Sequence, residues 1–470
     1  MRVYLLWLVI VGLCIYAQRD YFKSACVLVM LMAIYKHPDM PTNVAGIQGL
    51  NPWNLLMIFT VIGYFVNKGK EGAVWDLDGK VTFLFLAFYA LSMTSSYRML
   101  SDIQTLLDYG WDFTKGEIVS EYFVNQTKWL IPAYLIFVGA RTEERRKLAL
   151  IAILATHMVI ALIVIRRIPV SSIATGMELT QKGLKVLNQA FGWSRVNTAM
   201  LLAGAPWAFF WATNYVTGGK YRWMPWTFFA IGSLALALTG GRMGWGTWVA
   251  LGGIYSAWRW RKGILLLPLA MLLVVAFVPS VQQRLMQGLN KSDTETQAED
   301  ALTSGRTEAW PIAIQKIELA PWIGYGGHAM IRTGAAAEVA RKTGLTEDDR
   351  GFPHPHNAYL RIMMDSGILG TIPILLLYMI VVRRAFKICG VGSPEATAIG
   401  MTTISLVLAL MIAAMGSQNF FPVQGSMAMW ASVALTLRVY TDQVRNHAPE
   451  EVKEFEALWK RARSGGYAKG

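Results

Sequence analysis

Long apolar runs separated by short polar connections extend along almost the whole chain. The hydrocarbon core of a bilayer needs about 20 apolar residues per helix, and a backbone inside it must satisfy its own hydrogen bonds. The pattern therefore predicts an all-α polytopic membrane protein with about 12 transmembrane helices. The first two runs are short enough to form one hairpin. The runs lie near residues 3–17, 22–35, 53–67, 81–95, 122–140, 148–165, 196–216, 223–240, 245–258, 263–279, 358–382, 397–416 and 421–440.

Lysine and arginine collect in alternate connections between these runs, as expected for loops on the cytoplasmic side. This distribution accounts for much of the formal net charge of +14, so we expect a membrane partner and no nucleic acid. It also predicts a cytoplasmic C-terminus. The clusters are Arg141 with Arg145, Arg146 and Lys147; Lys220 with Arg222; Arg259 with Arg261 and Lys262; and Arg383 and Arg384 with Lys387.

One connection is far longer than the others and divides the chain. We predict N-terminal transmembrane helices in residues 1–278, a large periplasmic loop with short helices in 279–355, C-terminal transmembrane helices in 356–440 and a cytoplasmic amphipathic tail in 441–470. Long connections with helix-forming stretches usually carry function. The chemistry is therefore expected where this loop meets the membrane.

The cysteine pattern and the short motifs exclude several classes of site. Cys14, Cys26 and Cys389 lie in or beside apolar runs and form no Cys-x-x-Cys pair, which supports neither a disulfide framework nor a zinc site. No Walker motif or HExxH motif is present. We therefore predict no cofactor and no metal.

Arg242 occupies the tip of a tight connection on the predicted outer side, in Thr239-Gly-Gly-Arg-Met-Gly-Trp245. Positive charge is disfavoured on that side, so a compensating anion is expected. The glycines beside it allow a close backbone approach. The alternative is an arginine that reaches out to lipid headgroups.

Arg306 lies in the first turn of a predicted helix, in Ser304-Gly-Arg-Thr-Glu-Ala-Trp310. This end of a helix favours anions, and a guanidinium binds phosphate oxygens bidentately. An anionic ligand would therefore suit both the amide groups and the side chain. The alternative is a surface arginine paired with Glu308 or Asp300.

His356 lies where the loop re-enters the membrane, in His354-Pro-His-Asn-Ala-Tyr-Leu-Arg361. A lone histidine is usually structural, and metal binding with His354 has little support because no further ligand lies close in sequence. Arginines nearby would favour a neutral imidazole, because positive charge opposes protonation. A neutral imidazole is what a general base requires.

One segment of the chain resembles the signature of bacterial O-antigen ligases. It consists of His356-Asn357, nine further residues, Gly367, two further residues and Gly370-Thr371. That signature has a second threonine where this chain has Ile372.

Two further segments carry the resemblance. The turn around Arg242 resembles the Arg-Gly turn of the same superfamily, in which a serine commonly precedes the arginine. The Arg306 segment, followed by Ala320-Pro-Trp-Ile-Gly-Tyr-Gly-Gly327, is similar to the loop that leads to the family's histidine. Together the segments cover roughly residues 190–385.

The resemblance implies a GT-C-like membrane fold and an enzyme that needs no metal. Such enzymes transfer a glycan from an undecaprenyl diphosphate carrier to lipid A core or a protein, at the periplasmic face of the bacterial inner membrane. By motif position, Arg242 and Arg306 would hold the diphosphate and His356 would activate the acceptor hydroxyl. Lesser candidates, which could equally cap, pack or meet lipid headgroups, are Asn357, Trp310, Tyr359, Arg166 and Arg167.

Two other functions stay open at this point. A polymerase of the glycan repeat unit belongs to the same superfamily, and these residues do not identify the acceptor. A lipid or polysaccharide transporter (flippase) is the alternative from another class. Transporters usually carry ionisable residues near the bilayer midplane, whereas the candidate residues here gather at one face.

Overall fold

The computed structural model describes residues 2–41, 43–44, 47–72, 75–111, 114–171, 186–190, 192, 195–259, 272, 306–342, 353–416 and 419–445. This part of the chain is helical, which confirms the predicted all-α class. Its strands are limited to a two-residue antiparallel pair, Asn43–Val44 with Ile47–Gln48.

The helices follow one another with short connections. They are α1 (Arg2–Ala17), α2 (Tyr21–Leu31), α3 (Pro52–Glu71), α4 (Gly79–Ser101), α5 (Ile103–Asp108), α6 (Lys115–Val119), α7 (Gln126–Lys128), α8 (Ile131–Gly139), α9 (Glu143–Arg167), α10 (Arg195–Ala203), α11 (Ala205–Val216), α12 (Met224–Thr239), α13 (Arg242–Trp258), α14 (Arg306–Leu319), α15 (Ala329–Arg332), α16 (Ala335–Lys342), α17 (Ala358–Gly390), α18 (Pro394–Ala413) and α19 (Met427–Val439). Single 3₁₀ turns cover Met32–Ile34 and Gln424–Ser426, and π-helical turns cover Ser120–Asn125 and Tyr440–Arg445.

Capping residues set the starts of several long helices. The Asn51 side chain accepts a hydrogen bond from the Asn54 amide, and Pro52 occupies the first turn, where its missing N–H costs nothing. Asp78 caps α4 by accepting from the amides of Lys80 and Val81. The polar residues between the apolar runs therefore end one helix and begin the next.

Three described helices are long and apolar enough to cross a membrane: α9, α17 and α18. Shorter apolar helices cover Tyr4–Ala17, Tyr21–Ile34 and Met224–Thr239. The predicted span at 263–279 lies outside the described residues except for Leu272. The total of about 12 spans and the GT-C-like arrangement therefore stay predictions.

Two predicted spans are interrupted. The run 122–140 contains the π-helical turn, α7 and α8 in place of one helix. The run 196–216 divides at Gly204 into α10 and α11. A Cβ at Gly204 would lie 2.5 Å from the Ser405 carbonyl oxygen, so the close approach of α18 requires glycine at this break.

A network of ion pairs joins several helices at one end of the bundle. Arg438 is 1% exposed and binds Asp76 and Asp442. Arg146 binds Glu395, with Nε 2.7 Å from Oε1. Arg141 also contacts Asp76, and Arg384 contacts Asp78. The sequence places the basic clusters around Arg141 and Arg384 on the same side of the membrane. In the structure these two clusters lie together.

The long helix α17 is broken at Gly367. This residue has φ 61° and ψ −164°, a region that only glycine adopts without strain. In an uninterrupted helix, the amides of Ile368 and Leu369 would donate to the carbonyls of Met364 and Asp365. At the break, all of these groups need other partners.

The loop after α14 supplies those partners. The amide of Ile368 donates to Pro321 O at 2.8 Å, and the amide of Leu369 donates to Trp322 O at 3.1 Å. In return, the amides of Tyr325 and Gly326 donate to the carbonyls of Met364 and Asp365, each at 2.8 Å. The segment Pro321–Gly326, called the docking loop below, is therefore inserted into the hydrogen-bond ladder of α17.

The close backbone contact explains Gly367 of the motif and Gly324 of the docking loop. A Cβ at Gly367 would lie 2.3 Å from the carbonyl carbon of Trp322, and one at Gly324 would lie 2.3 Å from Met364 O. The Thr371 hydroxyl donates to Gly367 O at 2.8 Å, which satisfies another carbonyl at the break. Ile372, where the signature has threonine, is 49% exposed and points away from this contact.

We predict that Gly367→Ala destabilises the protein. The change imposes backbone strain of about 1–3 kcal/mol and a clash with the docking loop that no side-chain rotation can relieve. Thermal unfolding in detergent should occur at a clearly lower temperature, and residues 306–342 should become sensitive to protease. Gly390→Ala in the same helix is the control, because a Cβ there meets nothing within 4 Å. Equal stability of the two variants would contradict the role given to the docking loop.

Candidate functional site

His356 lies in the connection that leads from the loop into α17. Its φ is 50°, and the other described non-glycine residue with positive φ is His328, at 57°. Residues other than glycine rarely adopt a positive φ, because the left-handed backbone is strained. Such residues persist only where the surrounding structure imposes this conformation, and they cluster at functional sites. Both non-glycine residues with left-handed backbone in the described chain are thus histidines of the same region.

Contacts on both sides hold the His356 backbone in place. The Trp310 indole N–H donates to Pro355 O at 2.9 Å. On the other side, Asn357 caps α17, because its Oδ1 accepts from the amides of Tyr359 (2.9 Å) and Leu360 (3.3 Å). The structure thus gives Asn357 the capping role that was one of its two expected roles.

Tyr359 also has a packing role. Its hydroxyl donates to Met411 O at 2.8 Å, and its ring lies edge-on to Phe420 at 4.9 Å between centroids. The Ala358 amide donates to Ala414 O at 2.8 Å. These contacts fasten the start of α17 to the end of α18.

A narrow polar crevice, too tight to hold a water molecule, lies beside His356. The His354 ring forms part of its wall and packs 4.4 Å from the His356 ring, centroid to centroid. The rest of the wall comes from the loop and from the first turns of α17: His328, Ala329, Met330, Pro353, Pro355, Arg361, Met364 and Asp365.

Asp365 connects the elements around this crevice. Its Oδ1 accepts from the Ala329 amide at 3.0 Å, and its Oδ2 lies 3.5 Å from Arg361 Nε. Its main-chain carbonyl also accepts from the Ser95 hydroxyl of α4 at 3.3 Å. A single buried carboxylate therefore joins α15 to α17.

The histidines of the crevice are neutral. Burial, together with the neighbouring Arg361 and His356, lowers the pKa of His354 to about 3. Burial and the same arginine hold the pKa of His328 well below its ordinary value. His328 is further enclosed by a hydrogen bond to the Tyr122 hydroxyl and by Trp111, whose ring lies 4.3 Å away. Two neutral imidazoles and the Arg361 guanidinium therefore line the crevice beside His356.

The sequence indicated only part of this cluster. His328, Arg361 and Asp365 were missed as candidates. A signal was present for two of them, because Arg361 and Asp365 stand four residues apart on one helix face, the spacing of an ion pair. His328 belongs to a distant segment, and only the folded chain brings it to the crevice.

Arg242 is the first residue of α13, and Arg306 is the first described residue of α14. The predicted helix that contains Arg306 is confirmed, and residues 301–305 before it lie outside the described part of the chain. The side chains of both arginines also lie outside the described part of the structure. The backbone of Arg242, however, stands where amide groups at a helix start are available to an anion.

The segments that carry the two arginines both approach the His356 region. Arg306 lies one helical turn before Trp310, the residue that holds Pro355. Arg242 adjoins Met243, whose Cγ would lie 2.8 Å from a Cβ on Gly416. Gly416 follows closely after Ala414, to which the start of α17 is bonded. The structure therefore brings the backbones of all three predicted residues to one end of the bundle.

Arg166 and Arg167 stand apart from this arrangement. Both are exposed in the last turn of α9, and Arg167 lies 3.4 Å from His37 Nε2. Among the described residues, no group of three or more His, Cys, Asp or Glu side chains could hold a metal ion.

These helices fit a membrane-integral protein, and its candidate residues gather at one end of the helix bundle. Residues 227–375 match the family model described as O-antigen ligase. This part of the chain is similar to the O-antigen ligase superfamily, which confirms the resemblance seen in the sequence. The match contains Arg242, Arg306, the docking loop and His356. A comparison with curated proteins gave no match.

The match has general consequences for function. The family comprises glycosyltransferase-like enzymes of the ligase and polymerase type, integral to membranes and acting on lipid-linked glycans. The match supports an activity of this general type in the present chain.

We expect stability to fall as pH falls, because of His354. The unfolded chain binds a proton at this residue below about pH 6.5, whereas the folded chain binds one only near pH 3. Between these values the unfolded state holds more protons, so folding loses up to about 1.4 kcal/mol per pH unit for this group. His328 acts in the same direction.

Thermal unfolding at about pH 7.5 and about pH 5 measures this effect. The drop in unfolding temperature on acidification should be smaller in His354→Asn than in the wild type. His37→Asn, a change at a partly exposed histidine, should keep the wild-type drop. An equal drop in wild type and His354→Asn would show that His354 is not held neutral by its surroundings.

Proposed function

We propose that the protein transfers a glycan from an undecaprenyl-diphosphate-linked donor to an acceptor hydroxyl at the periplasmic face of a bacterial inner membrane. The acceptor is lipid A core or a protein, and no metal takes part. The observation that carries this proposal is the position of His356, on a strained and firmly held backbone near the helices that contain Arg242 and Arg306. We also propose about 12 spans in a GT-C-like arrangement and a cytoplasmic C-terminus.

His356 is the proposed general base. Its imidazole takes the proton from the acceptor hydroxyl while the oxygen forms a bond to the anomeric carbon of the glycan. The bond from that carbon to the diphosphate oxygen breaks, and the electron pair leaves with the diphosphate. Attack opposite the leaving group inverts the anomeric configuration.

Arg242 and Arg306 are the proposed clamp for the diphosphate. Charge accumulates on this group as it departs, and fixed guanidinium groups stabilise it without any change in their own protonation. Arg242 begins a helix, so the free amides of that first turn add hydrogen-bond donors for phosphate oxygens. Asn357, Trp310 and Tyr359 keep the base in position through their contacts. A role in donor binding has the weakest support for Arg166 and Arg167, because they lie at the end of α9 beside His37 and apart from the other candidate residues.

A repeat-unit polymerase is the second candidate. The same superfamily contains both activities, and the same three residues would serve either. A polymerase would add the donor glycan to another lipid-linked glycan and yield products of increasing length. A transporter is less well supported, because the buried ion pairs of Arg438 and Arg146 lie at one end of the bundle and not near its middle.

We predict that His356→Ala abolishes transfer. Loss of a general base typically costs about 10²–10⁴ in rate. Purified protein in detergent with EDTA should transfer glycan from the lipid diphosphate donor to lipid A core, and the variant should not, although it inserts and folds. His37→Ala is the control and should keep full activity. Wild-type turnover in His356→Ala would remove the base from the mechanism.

We predict that Arg242→Ala and Arg306→Ala each reduce turnover by about 10²-fold or more, with loss of donor use. Lysine at either position should restore only part, because it keeps the charge but not the planar fork. Arg222→Ala, a change at an exposed arginine on the predicted cytoplasmic side, controls for loss of charge. Unchanged donor affinity and turnover in both variants would eliminate the clamp.

A further inference from the structure

Several large apolar side chains of the loop are exposed beside the break in α17. Leu319 is 73% exposed, Trp322 64% and Ile323 56%. These residues lie at the end of α14 and in the docking loop. We call them the apolar wedge.

The wedge is not the interior face of α14. That face consists of Ala309, Ile312 and Ala313, which pack against α16 and Met364. Lys316 of α14 also faces the loop's own helices, because its ammonium group lies 3.8 Å from the Glu338 carboxylate of α16. The wedge points away from the loop's own core, and nothing within the described chain covers it.

The position of the wedge follows from the hydrogen bonds of the docking loop. Trp322 O accepts from the Leu369 amide at 3.1 Å, which fixes the wedge at the level of Leu369. From Leu369 an exposed apolar stripe runs along α17. It contains Leu369, Ile372, Leu376 and Met379, which share one helix face and are 37–51% exposed.

Helix α17 is long and apolar enough to cross the membrane, so this exposed stripe faces lipid. The wedge continues the stripe without a gap. Its surroundings suit the headgroup boundary: Tyr97 of α4 is 64% exposed nearby, and Arg98 donates to the carbonyls of Ile323 (3.0 Å) and Gly324 (2.9 Å). Tryptophan, tyrosine and arginine are the side chains that favour this boundary.

We infer that the wedge is inserted into the lipid leaflet on the His356 side of the membrane, with Leu319, Trp322 and Ile323 at the boundary of headgroups and hydrocarbon. The loop is then anchored twice, by its backbone to α17 and by these side chains to lipid. This second anchor fixes the depth at which α14 begins. The occupant of the surface is the bilayer and not another protein chain, because the surface continues a lipid-facing helix.

Site-directed labelling tests the insertion. The three native cysteines, all buried, are first replaced by alanine. Leu319→Cys, Trp322→Cys and Ile323→Cys are then labelled one at a time with a nitroxide in vesicles of phosphatidylethanolamine and phosphatidylglycerol. Arg341→Cys, at an exposed position of α16 in the same loop, is the matched control.

The accessibility to oxygen, which concentrates in lipid, is compared with that to a water-soluble nickel chelate. The wedge labels should collide with oxygen several-fold more than with the chelate, and the label at 341 should show the reverse. Chelate accessibility at the wedge equal to that at 341 would overturn the inference. Protection from both reagents would also overturn it, since a protein partner would then cover the surface. Each replaced wedge side chain is exposed, so three independent positions test the insertion without loss of a packed core residue.

Discussion

The exchange of backbone hydrogen bonds between the docking loop and α17 is the interaction on which the rest of the site depends. A break in a membrane helix leaves amides and carbonyls that lipid cannot satisfy, at a cost of several kcal/mol each. The docking loop satisfies both sides of the break at Gly367. The loop therefore cannot leave α17 without exposing unpaired polar groups, and its position relative to the membrane is fixed.

This attachment determines the geometry around His356. The loop carries α14 and Trp310, and the first part of α17 carries Asn357 and Asp365. Since both are joined at the same break, the residues before and after His356 are held by one rigid unit. The left-handed backbone of His356 is strained, and such strain persists only where the surroundings impose it. The His356 imidazole is thus held in place beside neutral histidines and the positively charged Arg361. Such surroundings suit the proposed proton transfer next to an anionic leaving group.

The sequence predicted the helical class and the helix that contains Arg306, because these depend on local patterns. The motif also located Gly367, but not the reason for it, since the docking loop lies more than 40 residues away in sequence. The cluster of His328, Arg361 and Asp365 was missed for the same reason. Hydropathy overestimated the continuity of two spans, because it registers apolar content and not the close contact at Gly204 or the π-helical turn at Ser120–Asn125. The buried ion pair of Arg438 with Asp76 joins residues far apart in sequence, which no local pattern reveals.

The most direct test of the central claim is an experimental structure of the protein in lipid with a non-hydrolysable analogue of the diphosphate-linked donor. The account predicts guanidinium nitrogens of Arg242 and Arg306 about 3 Å from diphosphate oxygens. It also predicts the His356 ring on the opposite side of the anomeric carbon, with the docking loop still bonded across Gly367. A diphosphate bound away from both arginines, or a His356 ring turned away from the anomeric carbon, would contradict it.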